Sequence, residues 1–215
     1  MDSFLLGLPK LSMLAQATVP AFLTRTALLL PDGRQRLTLP RSPVDWGLDS
    51  GGFTELSNKN NRQRCYRLRP AEYAAEVCRY AREIGRLKVA FVQDWMCEDC
   101  VLRRTRRSIE EHQLLTIASL IELRSIAPGL PWAPVLQGWT PEDYERHVAL
   151  YLANGIDLRC EPLVGVGSIC RRQGTLVGVE IVRRLARYDL RLHLFGYKRL
   201  GLVDALPYAV SADSM

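Results

Sequence analysis

Short apolar runs rich in Val, Leu and Phe alternate with stretches of helical periodicity along the whole chain. That alternation predicts a parallel α/β fold. Eight runs read as strands: Phe4–Leu8, Ala21–Thr24, Trp46–Asp49, Val89–Gln93, Pro134–Gln137, Leu163–Gly167, Leu190–Phe195 and Ala209–Ala212. They show no polar alternation, as expected of strands covered on both faces.

The intervening helices are better marked. In Ala71–Ile84, Tyr73, Val77, Tyr80 and Ile84 fall on one face, and Gly85 is the stop. Glu110–Ile126 carries Leu114, Ala118 and Ile121 at helical spacing, which predicts that this face turns inward. Thr140-Pro141-Glu142-Asp143 reads as an N-cap, a first-turn proline and two acids. That helix continues through Tyr144, Val148 and Tyr151 to Gly155. Gly174-Thr175 opens another, with Leu176, Val179, Val182 and Leu185 expected inside. Eight strands with interleaved helices favour a closed TIM (β/α)8 barrel over an open sheet, although periodicity alone fits both. One domain spanning residues 1–215 is predicted, with Ser57–Arg69, rich in Asn and Arg, as a mobile loop.

Composition narrows the function classes. A hydrophobic share of 47% with 24% charged residues is that of a globular chain rather than a disordered one. No apolar run approaches the ~20 residues that span a membrane, and a basic leader region is absent before the first apolar run. The net charge is +6 and, apart from Lys10, Lys59, Lys88 and Lys198, every basic residue other than histidine is arginine. Rigid guanidinium forks suit phosphate, so a nucleic-acid partner fits; a GC-rich coding sequence explains the same bias. The six cysteines follow no disulfide framework and read as reduced thiols of an intracellular protein.

Barrel enzymes carry their chemistry where strands end and loops begin. Strand three ends in Asp49-Ser50-Gly51-Gly52-Phe53, strand four in Gln93-Asp94 and strand five in Gln137-Gly138. Strand six ends in Gly165-Val166-Gly167-Ser168, strand seven in Phe195-Gly196 and strand eight in Asp213-Ser214. Each has a plain structural explanation. An Asp after a strand often caps the next helix, paired glycines usually serve turns, and phenylalanines usually serve cores. Six successive strand ends with such residues make a shared site the stronger reading. Cys97-Glu98-Asp99-Cys100 supplies half the ligands of a zinc site, and His112, His147 and His193 are too dispersed to complete it, so no metal is assigned. His193 is expected to point inward from strand seven.

Asp49-Ser50-Gly51-Gly52-Phe53 resembles the DSGGF signature of the queuine/archaeosine tRNA-guanine transglycosylase superfamily. The later motifs follow in the same order: Gln93-Asp94, Leu136-Gln137-Gly138, Gly165-Val166-Gly167, Leu194-Phe195-Gly196 and Asp213. Gln93-Asp94-Trp95-Met96-Cys97, Gly165–Arg172 and Ser211–Met215 are similar to the DpdA-like branch, which inserts 7-deazaguanines into DNA. The resemblance runs from Phe4 to Met215.

The resemblance implies a pentosyltransferase that exchanges guanine for a preQ0-type 7-deazaguanine through a covalent Asp–sugar intermediate. DNA is the expected polymer and tRNA, as in queuosine formation, the alternative. Asp213 would be the nucleophile and Asp49 the acid/base. Asp94 would accept the guanine-like edge beside Ser50 and Gly52. Gln137, Gly138 and the backbone N–H groups of Gly165 and Gly167 would serve the base carbonyl. Phe53 and Phe195 would sandwich the ring. Arg103, Arg104, Arg106, Arg107, Arg171 and Arg172, read as loop residues, would hold backbone phosphates.

Family members also carry a structural zinc bound by cysteines and a histidine downstream of the nucleophile. Those ligands would lie beyond Met215, so no cofactor is expected within this chain, and the barrel is expected to be truncated before its last helix. A bacterial or phage-infected cytoplasm is the implied setting. Two other readings remain open at this level: a nucleic-acid-binding barrel subunit without turnover, and a hydrolase using Asp49 and Asp94 that leaves abasic product. Oligomeric state is not legible in the sequence.

Overall fold

The computed structural model describes residues 3–197, 203–205 and 207–213. Its strands are β1 (Ser3–Gly7), β2 (Ala21–Thr24), β3 (Trp46–Asp49), β4 (Leu87–Phe91), β5 (Trp132–Ala133), β6 (Val135–Leu136), β7 (Val164–Val166), β8 (Leu192–Leu194) and β9 (Ser211–Asp213). Every pairing between them is parallel, in the order β5-β4-β3-β2-β1-β9-β8-β7-β6. The first and last strands of that order are neighbours in sequence, separated by Pro134. The predicted fifth strand is therefore two short pieces. β5 pairs with β4, and β6 with β7. Proline has no N–H to give a ladder, so the sheet meets itself at a seam rather than across a continuous stave. The result is a nearly closed TIM-like barrel.

Among the described residues the sheet is accompanied by α1 (Gly52–Ser57), α2 (Pro70–Glu83), α3 (Asp99–Thr105), α4 (Ile109–Ile126), α5 (Pro141–Ala153) and α6 (Leu176–Leu185). Three start as their sequences dictate. Ser108 with Glu111, and Thr140 with Asp143, form reciprocal capping boxes, and the Thr175 hydroxyl accepts from the Gly178 N–H. Tyr73, Val77, Tyr80 and Ile84 of the second helical segment are fully buried as patterned.

Two faces differ from expectation. In α4, Leu114, Ala118 and Ile121 lie outside, while His112, Gln113, Thr116, Ile117, Leu120 and Leu123 are buried. The polar three turn inward because the loops after β4 and β6 need partners. The His112 Nδ1–H donates to the Met96 carbonyl at 2.7 Å, Gln113 Nε2 to the Gln137 carbonyl at 2.7 Å, and the Thr116 hydroxyl accepts from the Trp95 N–H at 2.9 Å. In α6, Leu176 stands in solvent, and Gly178, Ile181, Val182 and Leu185 are buried. The predicted mobile loop 57–69 is fastened at two points. Asn61 is buried and donates to the Glu55 and Cys65 carbonyls, and Tyr66 reaches the loop after β4.

Aromatic rings fill the barrel under the site. Phe22, Phe91, His193 and Phe195 pack with centroids 4.6–6.0 Å apart. Small positions on neighbouring strands make the room. A Cβ at Gly165 would lie 2.7 Å from the Phe195 ring and 2.9 Å from Phe91. Gly165→Ala is therefore expected to cost on the order of 1–3 kcal/mol by overpacking. Urea denaturation checks this, and an unchanged midpoint would show that the rings yield freely.

Candidate active site

The C-terminal ends of the strands open onto a cavity of about 530 Å³ lined by Asp49, Gly52, Phe53, Asp94, Gly167, Phe195 and Asp213, among others. Volumes of ~300–1,000 Å³ are usual for small-ligand sites. Asp49 closes β3, Asp94 follows β4, and Asp213 closes β9. Three carboxylates separated by up to 164 positions in the chain are thus brought to one wall because parallel strands place all their C-terminal ends on one face.

The segment after β3 is shaped by its glycines. Gly51 takes the left-handed conformation, φ +77°, and turns the chain into α1. At Gly52 a Cβ would run into the Tyr66 hydroxyl. Asp49 accepts hydrogen bonds from the Ser50 and Gly51 backbone N–H groups. Burial, and then the neighbouring Asp94 and Asp213 carboxylates, push it up to about 8.

Asp94 is held by a polar chain. The Ser50 hydroxyl donates to Oδ1 at 3.1 Å, and Gln137 Nε2 donates to Oδ2 at 2.5 Å. Tyr66 donates to the Asp94 carbonyl at 2.7 Å. Burial raises Asp94 to about 6, opposed by the Ser50 and Gln137 hydrogen bonds. On the far side of Gln137, its Oε1 accepts from the Ser168 hydroxyl at 2.7 Å, and Glu98 lies 2.8 Å from that same hydroxyl. Ser168 has one proton for two acceptors. A protonated Glu98 satisfies both contacts, consistent with the upward shift that burial gives it.

Asp213 is fully buried at the cavity floor. Its Oδ2 accepts from the Gly196 N–H at 3.0 Å and lies 3.2 Å from His193 Nε2. Phe53 stands at the mouth, 39% exposed, with the Arg171 guanidinium 5.0 Å from its ring centroid. Phe195 lies deeper, edge-on to Phe91 at 4.6 Å.

Several sequence expectations are relocated. Gln137 is fully buried, and its amide is turned to Asp94 and Ser168 instead of lining the cavity. The N–H groups of Gly165 and Gly167 are used by the sheet, donating to Pro134 and Leu136 carbonyls at 2.9 Å, so they cannot serve a base carbonyl. Gly165 makes room for rings, and Gly138 for Asp143 and Tyr144 of α5. Gly167 does line the cavity, and a side chain there would strike Gln137.

Arg103 and Arg104 belong to α3 and Arg106 is its C-cap, so this cluster is not a simple loop. Arg103 is paired with Asp99, Arg104 donates to the Asn61 carbonyl at 3.2 Å, and Arg107 lies over Trp95. Arg172 donates to the Trp139 carbonyl and stacks on its ring, which leaves Arg171 beside Phe53 at the rim.

Sequence reasoning missed Glu98 and Tyr66 as parts of the site. Glu98 stands four residues after Asp94 in a segment without regular structure, and Tyr66 sits in the loop read as mobile. Cys97 is a buried and Cys100 an exposed free thiol. Among the described residues no group of three or more His, Cys, Asp or Glu is arranged to hold a metal ion, and no helix is long and apolar enough to cross a membrane. The model of the family described as DpdA, DeoxyPurine in DNA protein A, matches residues 1–215. A search of curated proteins finds no match.

Proposed function

The chain belongs to the DpdA family, and from that membership we propose that it exchanges guanine in DNA for a 7-deazaguanine of the preQ0 type through an Asp213–sugar ester. The observation that carries this reading is the convergence of Asp49, Asp94 and Asp213 with Phe53 and Phe195 on one cavity.

Breaking an N-glycosidic bond generates an oxocarbenium-like centre at C1′, and a carboxylate can capture it. Asp213 Oδ1 forms the bond to C1′ as the bond to the base nitrogen breaks. The electron pair leaves with guanine, which takes a proton from Asp49. The incoming base then returns a proton to Asp49 as its nitrogen attacks C1′, and the pair in the C1′–Oδ1 bond returns to Asp213. An acid poised near 8 can both give and receive that proton near neutral pH. Asp94, ionised above about 6, accepts the ring N–H and amino donors of a guanine edge. A base without those donors would leave a buried carboxylate unmatched, which is the source of selectivity. Phe53 and Phe195 offer faces for the ring.

The target base must leave its duplex stack to reach this depth. Arg171, beside Phe53 at the rim, is suited to a flanking phosphate.

Incubation with labelled guanine or a nitrile-bearing 7-deazaguanine, with duplex DNA and tRNA offered separately, tests the reading. Label is expected in DNA. Incorporation into tRNA alone would overturn the choice of polymer, and abasic DNA without incorporation would replace exchange by hydrolysis.

A further inference from the structure

His193 is a buried titratable group in the barrel that the proposed chemistry leaves unused. It lies on β8 opposite Ser211 of β9 in the strand register. Residues two apart on a strand share a face, so Ser211 and Asp213 project together into the barrel interior, and the His193 ring bridges them. Nδ1 is 2.8 Å from Ser211 Oγ, and Nε2 is 3.2 Å from Asp213 Oδ2. Phe22, Phe91 and Phe195 pack around the ring with centroids 5.2 Å away in each case.

A carboxylate has no proton to give. The contact to Asp213 therefore requires a proton on Nε2, and in the neutral ring Nδ1 is then the acceptor of the Ser211 hydroxyl. Ser211 fixes the tautomer, and the aromatic packing fixes the ring plane. Gly196 N–H donates to the same oxygen, Oδ2, at 3.0 Å. Two donors thus converge on one oxygen of the carboxylate.

Resting on the reading of Asp213 as nucleophile, we propose that His193 is a positioning residue that presents Asp213 Oδ1 to the sugar and stabilises the carboxylate as it leaves the glycosyl ester. Hydrogen bonds to an ionised carboxylate are stronger than those to a neutral ester carbonyl. The Nε2–H bond therefore favours breakdown of the intermediate, when the C1′–Oδ1 electron pair returns to Asp213. It also orients the carboxylate, so its loss also slows ester formation.

The test follows the covalent protein–DNA adduct. Wild-type protein is loaded on DNA, the adduct is isolated, and its decay is timed after adding the incoming base. His193→Phe keeps a flat ring for the aromatic cluster and lacks the donor. Its adduct is expected to decay on the order of 10–100-fold more slowly, the size of one charge-assisted hydrogen bond, with DNA affinity unchanged. His193→Gln, whose amide nitrogen reaches the Nε2 position, is expected to recover much of the rate.

Should the Phe variant fold poorly, Ser211→Ala makes the same test, since freeing the tautomer is expected to slow decay in the same direction by a smaller factor. In the intact protein, ¹⁵N shifts of His193 are expected to report the Nε2–H tautomer. Wild-type decay in a folded His193→Phe, or an Nδ1–H tautomer, would overturn the assignment while leaving Asp213 as nucleophile. A chain that exchanges bases without any adduct, or with Asp213 replaced by Asn, would instead overturn the covalent reading and this inference with it.

Discussion

Asp213→Asn is expected to lower base exchange by at least about three orders of magnitude and to eliminate the protein–DNA adduct. Removal of a nucleophile leaves only the contribution of binding and electrostatics to the rate. The substitution is close to isosteric, and its carbonyl oxygen can still accept from Gly196 N–H and His193 Nε2, the partners of Oδ2 in the native chain. DNA affinity and melting temperature should therefore stay near wild type, which separates lost chemistry from lost fold. The measurement is single-turnover exchange with labelled base alongside denaturing electrophoresis of the adduct. A variant that keeps more than a tenth of the wild-type rate would remove Asp213 from the mechanism.

The second large effect concerns Asp49. With Asp94 raised to about 6 and Asp49 to about 8, kcat/KM is expected to rise through pH ~6 as Asp94 ionises and to fall through pH ~8 as Asp49 loses its proton. The two limbs belong to an interacting set of carboxylates, so each is a property of the group. Asp49→Asn is expected to lose most exchange activity.

The same variant should gain stability, because burial raises the native pKa of Asp49 from the ordinary carboxylate range to about 8. Between those values the unfolded chain has released a proton that the folded chain retains. Stability from this group is complete below the unfolded pKa and is lost as pH rises toward the folded one. Asparagine carries no such dependence. Its melting temperature should exceed wild type most at pH 8 and converge with it toward pH 4. Each kcal/mol recovered is worth about 2–4 °C in a chain of this size. A pH-independent difference would mean that Asp49 is ionised throughout.

Strand positions were legible because the buried runs are bounded by turn residues. The carboxylate at the end of β3 and those near the ends of β4 and β9 were legible from chain order alone. What escaped was the second layer of contacts. Leu114 and Ile121 look like an inward stripe, yet His112, Gln113 and Thr116 take the inner face because three loop groups need them. Periodicity weighs hydrophobicity and does not count unsatisfied carbonyls. Gln137 looked like a ligand group, and its direction depends on Asp94 and Ser168, 43 and 31 residues away. Gly165 looked like a place for a base to approach, and its missing side chain is occupied by Phe195 and Phe91. Glu98 carries no signal except its distance from Asp94, since the segment holding it has no regular structure.

The seam at Pro134 divides these groups unevenly. Asp49 and Asp94 follow strands that run from β1 to β5, whereas Gly167, Phe195 and Asp213 belong to the run from β6 to β9. Two of the three cavity carboxylates thus come from one half of the sheet and the third from the other. Across the seam the sides are clasped by Gln137 on Asp94 and by Ser168, which accepts from the Cys97 N–H at 2.8 Å. A small shift at that clasp would alter the spacing between the Asp49 and Asp213 carboxylates. The seam is thus closed twice, by the peptide backbone running through Pro134 and by a clasp of buried side chains.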